Sequence, residues 1–197
     1  MKSWGSNDIV THTSQAIFER HPAEIIPQLE QVLGEHNPDL DVETRFWLGW
    51  AQEQSGDHAA ARQTWQEVVS KLEATAKAEP DSNFLLDYLA LTCACLGDKN
   101  AALSYAGRAM ELVPIEKDAL SGPAELEIYA RTAALTGDTE QAITALQKLL
   151  SIPYEGGLTR AVPLTPALLR LDPMFDSLRN DPRFQKLAST APQATGK

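Results

Sequence analysis

Cysteine, positive charge and long apolar runs are all scarce in this 197-residue chain. The two cysteines stand as Cys93-Ala94-Cys95, and neighbours two apart on a helix point about 200° from each other, so a bridge between them is geometrically poor. They read as small buried thiols. The 17 lysines and arginines against 27 aspartates and glutamates give a formal charge of −10, with a pI near 4.8. That balance repels phosphate backbones and anionic lipid, which excludes nucleic acid and membrane surfaces as expected partners. No stretch approaches the roughly 20 apolar residues of a membrane span. Met1-Lys2-Ser3-Trp4-Gly5 has no apolar segment of a secretory signal behind it, so a soluble, cytoplasmic protein is expected.

Clustered chemistry is equally scarce. His12, His21, His36 and His58 share no helical spacing of three or four, and none pairs in sequence with Cys93 or Cys95, so no metal site is expected. Ser55-Gly56-Asp57-His58 has the residue types of a nucleophile cluster, but adjacent residues around a turn diverge. Gly-Asp recurs twice more without serine or histidine, which makes it turn chemistry. Gly156-Gly157 has neither a strand ahead nor a lysine in a phosphate-loop position, and reads as a flexible link. The sequence offers no catalytic residue and no cofactor motif, so an enzyme is not expected.

What is present is a period. Gly56-Asp57, Gly97-Asp98 and Gly137-Asp138 recur at about 40 residues, each followed five places after the glycine by alanine: Ala61, Ala102 and Ala142. A fixed period of that size with helical spacing on both sides signals stacked helix-turn-helix units, each hiding its apolar face against the next. First helices are predicted over Glu43 to Ser55, Phe84 to Leu96 and Ala124 to Thr136. Second helices follow over Ala59 to Lys77, Ala101 to Val113 and Thr139 to Ser151, with apolar residues three and four apart. Pro80, Pro114 and Pro153 stop the second helices, and Asp57, Asp98 and Asp138 cap them by accepting a bond from a free amide.

This pattern resembles the tetratricopeptide repeat, whose 34-residue unit takes a large then a small residue in its first helix, glycine at the turn, and alanine, a large residue and alanine along the second. Leu48-Gly49, Leu89-Ala90 and Tyr129-Ala130 fill the first pair; Ala61, Trp65 and Val68 fill the later triplet, as do Ala102, Ala106 and Ala109, and Ala142, Leu146 and Leu149. Arg45, Leu86 and Leu126 replace an early aromatic, and the longer period implies longer second helices or looser connections. The resemblance implies an all-α, right-handed superhelical solenoid of antiparallel helix pairs. Trp65 and Leu89 would lie between stacked helices, and Gly49 would stay small for close approach.

Residues 39–155 hold the three pairs. Residues 1–38 form a degenerate capping repeat when Leu29 to Leu33 is laid on Leu146 to Leu150, which places a first helix over Ile9 to Arg20. Residues 156–197 form a cap and tail. Thr165-Pro166, Asp172-Pro173 and Asp181-Pro182 each place an N-cap ahead of a proline at the first helical position, so three short helices are predicted, with Leu168, Leu169, Leu171, Phe175, Leu178, Phe184 and Leu187 closing the stack. This ending resembles that of tetratricopeptide regions in bacterial signalling proteins, namely serine/threonine kinases, adenylate cyclases and winged-helix regulators, without their catalytic or DNA-binding domain.

The resemblance also implies a concave groove lined by the first helices. Its residues would be Glu43, Phe46, Trp50 and Glu53, then Phe84, Asp87, Leu91 and Cys95, then Glu127, Arg131 and Leu135. An apolar strip with a negative rim suits a protein or peptide partner with aliphatic anchors and lysine or arginine. A carboxylate clamp is disfavoured, because Phe46, Trp50, Asp87 and Leu91 occupy the places of its lysines and asparagines. Two alternatives stay open: the array as a homodimerisation unit, and a fold in which the N-terminal segment or long connections cover the strip and turn its aromatics into core.

Overall fold

The computed structural model describes residues 4–159 and 162–189, so Met1-Lys2-Ser3 and the tail beyond Ser189 lie outside the described residues. Helices α1 (Ser6–Phe18), α2 (Ile26–Gly34), α3 (Pro38–Gln54), α4 (His58–Ala76), α5 (Asn83–Leu96), α6 (Lys99–Leu112), α7 (Gly122–Leu135) and α8 (Thr139–Leu149) are followed by the shorter α9 (Pro166–Leu171) and α10 (Pro182–Ser189). Short 3-10 segments occupy Pro22–Glu24 and Pro173–Leu178. Among the described residues there is no strand. The molecule is an all-α solenoid in which α3 pairs with α4, α5 with α6 and α7 with α8, while α4 packs on α5 and α6 on α7.

The recurring glycines explain the hairpins. Gly56, Gly97 and Gly137 take φ values of 88°, 85° and 75°, the left-handed region that costs a side-chain-bearing residue about 1–2 kcal/mol. Each turn closes with the same two bonds: the glycine amide reaches the carbonyl three residues back, and the following aspartate amide reaches the one five back, as in Asp57 N–H to Gln52 O at 3.0 Å. The aspartate carboxylates then cap the second helices, accepting from the amides of Ala60 at 3.1 Å, Ala101 at 3.0 Å and Gln141 at 3.4 Å.

Within the first hairpin, a side chain on Gly49 would put its Cβ 2.4 Å from Trp65 Nε1. Hydrogen is therefore the only substituent that lets α3 approach the indole, which donates to Phe46 O at 3.3 Å. The long period has two sources. Helix α4 runs for 19 residues, and an irregular connection separates Leu112 from Gly122.

The N-terminal segment hides a fourth turn of the same kind. Arg20 takes φ 66°, its amide bonds Ile17 O at 3.1 Å, and the His21 amide bonds Ala16 O at 2.8 Å. This is the bond pattern of Gly56, Gly97 and Gly137 with arginine in the glycine's place. The hairpin it begins is splayed, because α1 packs chiefly on α3 rather than on α2. At the far end the three expected N-caps are present: Thr165, Asp172 and Asp181 accept from the amides of Leu168 at 3.2 Å, Met174 at 3.0 Å and Arg183 at 2.8 Å. The middle segment is 3-10 rather than α.

Candidate interaction site

The face made by the first helices is covered. Ile9, Val10 and Ile17 of α1 belong to one apolar cluster with Phe46, Trp50, Tyr88, Leu91, Ile128, Leu158 and Met174. Ser6 Oγ donates to Glu43, and Tyr88 OH donates to the other Glu43 oxygen at 3.0 Å. Of the residues expected to line an open strip, Glu43, Phe46, Trp50, Leu91, Glu127 and Arg131 are buried. Glu53, Asp87, Cys95 and Leu135 are half-buried, and Phe84 is 42% exposed, its ring tilted against Tyr88 with the centroids 4.8 Å apart. The strip is thus not an open groove: α1 fills it from one end and the C-terminal cap from the other. An acidic side chain such as Glu43 tolerates the interior because its oxygens meet hydroxyl donors.

The other end is held by charge. Arg131 on α7 is 1% exposed, and its Nε donates to Glu127 at 2.9 Å while Nη1 donates to Asp172 at 2.5 Å. Its guanidinium also lies 5.3 Å from the Phe175 ring centroid. Burial alone would lower the arginine pKa, but Asp172 and then Glu127 reverse that and raise it. The second Glu127 oxygen accepts from Tyr154 OH at 2.9 Å and from the Gly157 amide at 3.0 Å, and Tyr154 OH accepts from the Leu164 amide at 2.8 Å. Burial, then the Glu127 charge, raises the Tyr154 pKa, so the phenol stays a donor.

This knot corrects the reading of Gly156-Gly157 as a flexible link. A Cβ on Gly157 would lie 2.8 Å from Ala124 O, and one on Gly156 would lie 2.0 Å from Val162 O. Gly157 lets a packed strap lie close against α7, and Gly156 lets it pack back on its own Val162. Glu127 and Arg131, expected to line a groove, instead form a buried i, i+4 pair. Tyr154 and Asp172 were not expected beside them, since nothing local marks a partner 27 or 41 residues away.

Between α5 and α7 a second acidic contact occurs. Asn83 Nδ2 donates to Glu125 Oε1 at 3.2 Å, while Asp87 Oδ1 and Glu125 Oε2 are buried without a donor. Burial and then the Glu125 charge push the Asp87 carboxyl well above its ordinary range, and burial raises Glu125 as well. A proton shared between the two carboxyls would satisfy both bare oxygens. The thiols are unpaired, and burial pushes Cys93 up to about 11 and Cys95 higher still. Among the described residues no group of three or more histidine, cysteine, aspartate or glutamate side chains could hold a metal ion, and no helix is long and apolar enough to cross a membrane.

An open trough of about 490 Å³ lies between α1 and the cap, walled by Val10, Thr11, Ser14, Gln15, Phe18 and Glu19 on one side and by Thr159, Val162, Leu168 and Leu171 on the other. Leu171 was expected to close the stack, yet it is 43% exposed, and Val162 is 47% exposed. Neither Phe18 nor Val162 carries a sequence signal for this surface, because it exists only where the two ends of the chain meet.

Comparison of the chain with curated proteins and with solved structures gives no match. Residues 43–71, which span the Gly49–Trp65 contact and the Gly56 turn, match the family model of the tetratricopeptide repeat, and this match supports a tetratricopeptide repeat protein.

Proposed function

We propose that the chain is a non-catalytic interaction module that holds a peptide segment or a neighbouring domain of a protein partner, in a bacterial signalling or regulatory setting in the cytoplasm. The stack of glycine-turned helix pairs carries this reading, together with the tetratricopeptide match at residues 43–71. Such repeats typically mediate protein contacts rather than catalysis. The interior polar groups support it too: Glu43, Glu127, Arg131 and Asp172 are engaged in bonds that hold α1 and the cap. The signalling setting rests on the three Pro-capped short segments from Thr165 onward.

In this reading Glu43, Phe46, Trp50, Leu91, Glu127 and Arg131 shape the scaffold. Glu53 and Phe84, with the trough, face the partner. The charge of −10 favours a partner bearing lysine or arginine beside aliphatic anchors. Panning a random peptide display library on the immobilised chain is expected to enrich such peptides, with affinities that weaken as salt rises. Enrichment of no peptide above background would overturn the reading. Sedimentation at several concentrations separates it from self-assembly, which would show as a dimer growing with concentration.

A further inference from the structure

We infer that the trough between α1 and the C-terminal cap is a seat for one amphipathic helix of a protein partner, basic at the end that meets Glu19. This rests on the interaction-module reading and names its surface. The α1 wall runs from Val10 to Glu19, which at 1.5 Å per residue is about 14 Å, or between two and three helical turns. Its apolar side is Val10 and Phe18; the opposite wall gives Val162, Leu168 and Leu171.

The flanks of α1 and α9 wall the trough. Their backbone groups are bonded within the helices, and on the non-helical strap the Val162 carbonyl already accepts from Thr159 Oγ1 at 3.0 Å, so an extended strand would find no continuous ladder to join. A helix brings its own backbone bonds satisfied and needs only side-chain contact. Charge sets its direction. Among the described residues, Glu19 is the only charged one on the walls. It caps the C-terminal end of α1, where the helix dipole is negative and the last turn holds no basic residue. Arg20 follows in sequence but does not line the trough. A lysine or arginine on the partner's end neutralises both the carboxylate and the dipole.

The probe is a labelled alanine-based helical peptide of about 15 residues with leucines at i, i+4 and i+7 and two lysines at one end, titrated against the full chain. Leu171→Asp and Val162→Asp alter exposed side chains, and circular dichroism checks that helicity is kept. Each is expected to weaken binding about ten-fold or more. Glu19→Lys is expected to weaken the lysine peptide and strengthen one ending in glutamates. Leu120→Asp, at a 60% exposed residue away from the trough walls, is expected to leave the affinity unchanged. Binding that is indifferent to the trough variants, or lost on Leu120→Asp, overturns the trough while leaving the interaction module standing. No binding of either peptide overturns the trough as a helix seat, and the library experiment then decides the module separately. Displacement of the bound dye anilinonaphthalene sulfonate by fatty acids but not by the peptide would assign the trough to a small apolar ligand and also overturn the helix.

Discussion

The two ends of the stack close by opposite physics. At the N-terminal end α1 lies over the inner face on apolar contacts from Ile9, Val10 and Ile17, with Glu43 accepting from the hydroxyls of Ser6 and Tyr88. At the C-terminal end the strap and the 3-10 segment are pinned to α7 by a buried arginine between two carboxylates, with a tyrosine and a backbone amide completing the set. Apolar burial is graded and forgiving, because a helix can settle into several nearby positions at similar cost. A buried charge knot is all-or-none: each group is tolerable only while every partner is present. One end can therefore adjust and the other cannot, and the trough runs along the boundary between them.

The sharpest break of that contrast is Arg131→Met, which keeps the bulk but leaves Glu127 and Asp172 buried without a cation. A cost of about 3–5 kcal/mol is expected. Hydrogen exchange is expected to show the Tyr154, Gly157 and Leu164 amides opening before the hairpins do. Uniform loss of protection along the chain would mean the knot is not specific to the cap.

The hairpin between the ends supplies the reference. Trp65→Ala removes a side chain that is 3% exposed and is expected to cost about 3–5 kcal/mol. Gly49→Leu pushes a side chain into the same indole, already 2.4 Å from where its Cβ would stand, and is expected to cost about 1–3 kcal/mol or more. Thermal melts check both. If the two substitutions are combined, the cavity left by Trp65 accommodates the leucine, so the double variant is expected to lose less than the sum.

That hairpin was also the most legible part of the sequence. Three glycines, three capping aspartates and the small Gly49 beside Trp65 announce themselves locally, since each answers a backbone demand within a few residues. The Pro-capped segments near the C-terminus were legible for the same reason. Whether the strip was open could not be read, because covering it depends on contacts such as Ser6 with Glu43 and Tyr154 with Glu127, far apart in sequence. The trough was invisible on the same ground. Its walls, Phe18 and Leu171, come from opposite ends of the chain and share no motif.

Between the two ends, the Asp87 and Glu125 pair sharpens the comparison by adding a charge contact that lacks a cation. The folded-state pKa of Asp87 is raised, so its contribution to stability is fully present below the ordinary carboxylate range and is lost as pH rises through the raised value. Asp87→Asn supplies a permanent amide donor to Glu125. It is expected to stabilise the fold at neutral pH by about 1 kcal/mol, with the advantage fading as pH falls toward about 4. Melting temperatures across that range check the sign. An advantage larger in acid than at neutral pH would contradict the shared proton.

The smallest effect belongs to the concealed turn at the forgiving end. Arg20 holds φ 66° where the regular hairpins place glycine, and it carries both turn bonds despite the steric cost of a Cβ there. Arg20→Gly relieves that cost but frees the unfolded chain, so a net gain of about 0.5–1 kcal/mol is expected. Glycine placed at His36, the other left-handed residue at φ 56°, is expected to gain less. There the imidazole Nδ1 lies 2.6 Å from Gly34 O, a contact that glycine would remove. Equal gains at both sites would mean that backbone strain alone governs these turns. A gain at Arg20 alone would place the fourth hairpin on the same backbone rule as the three that glycine marks.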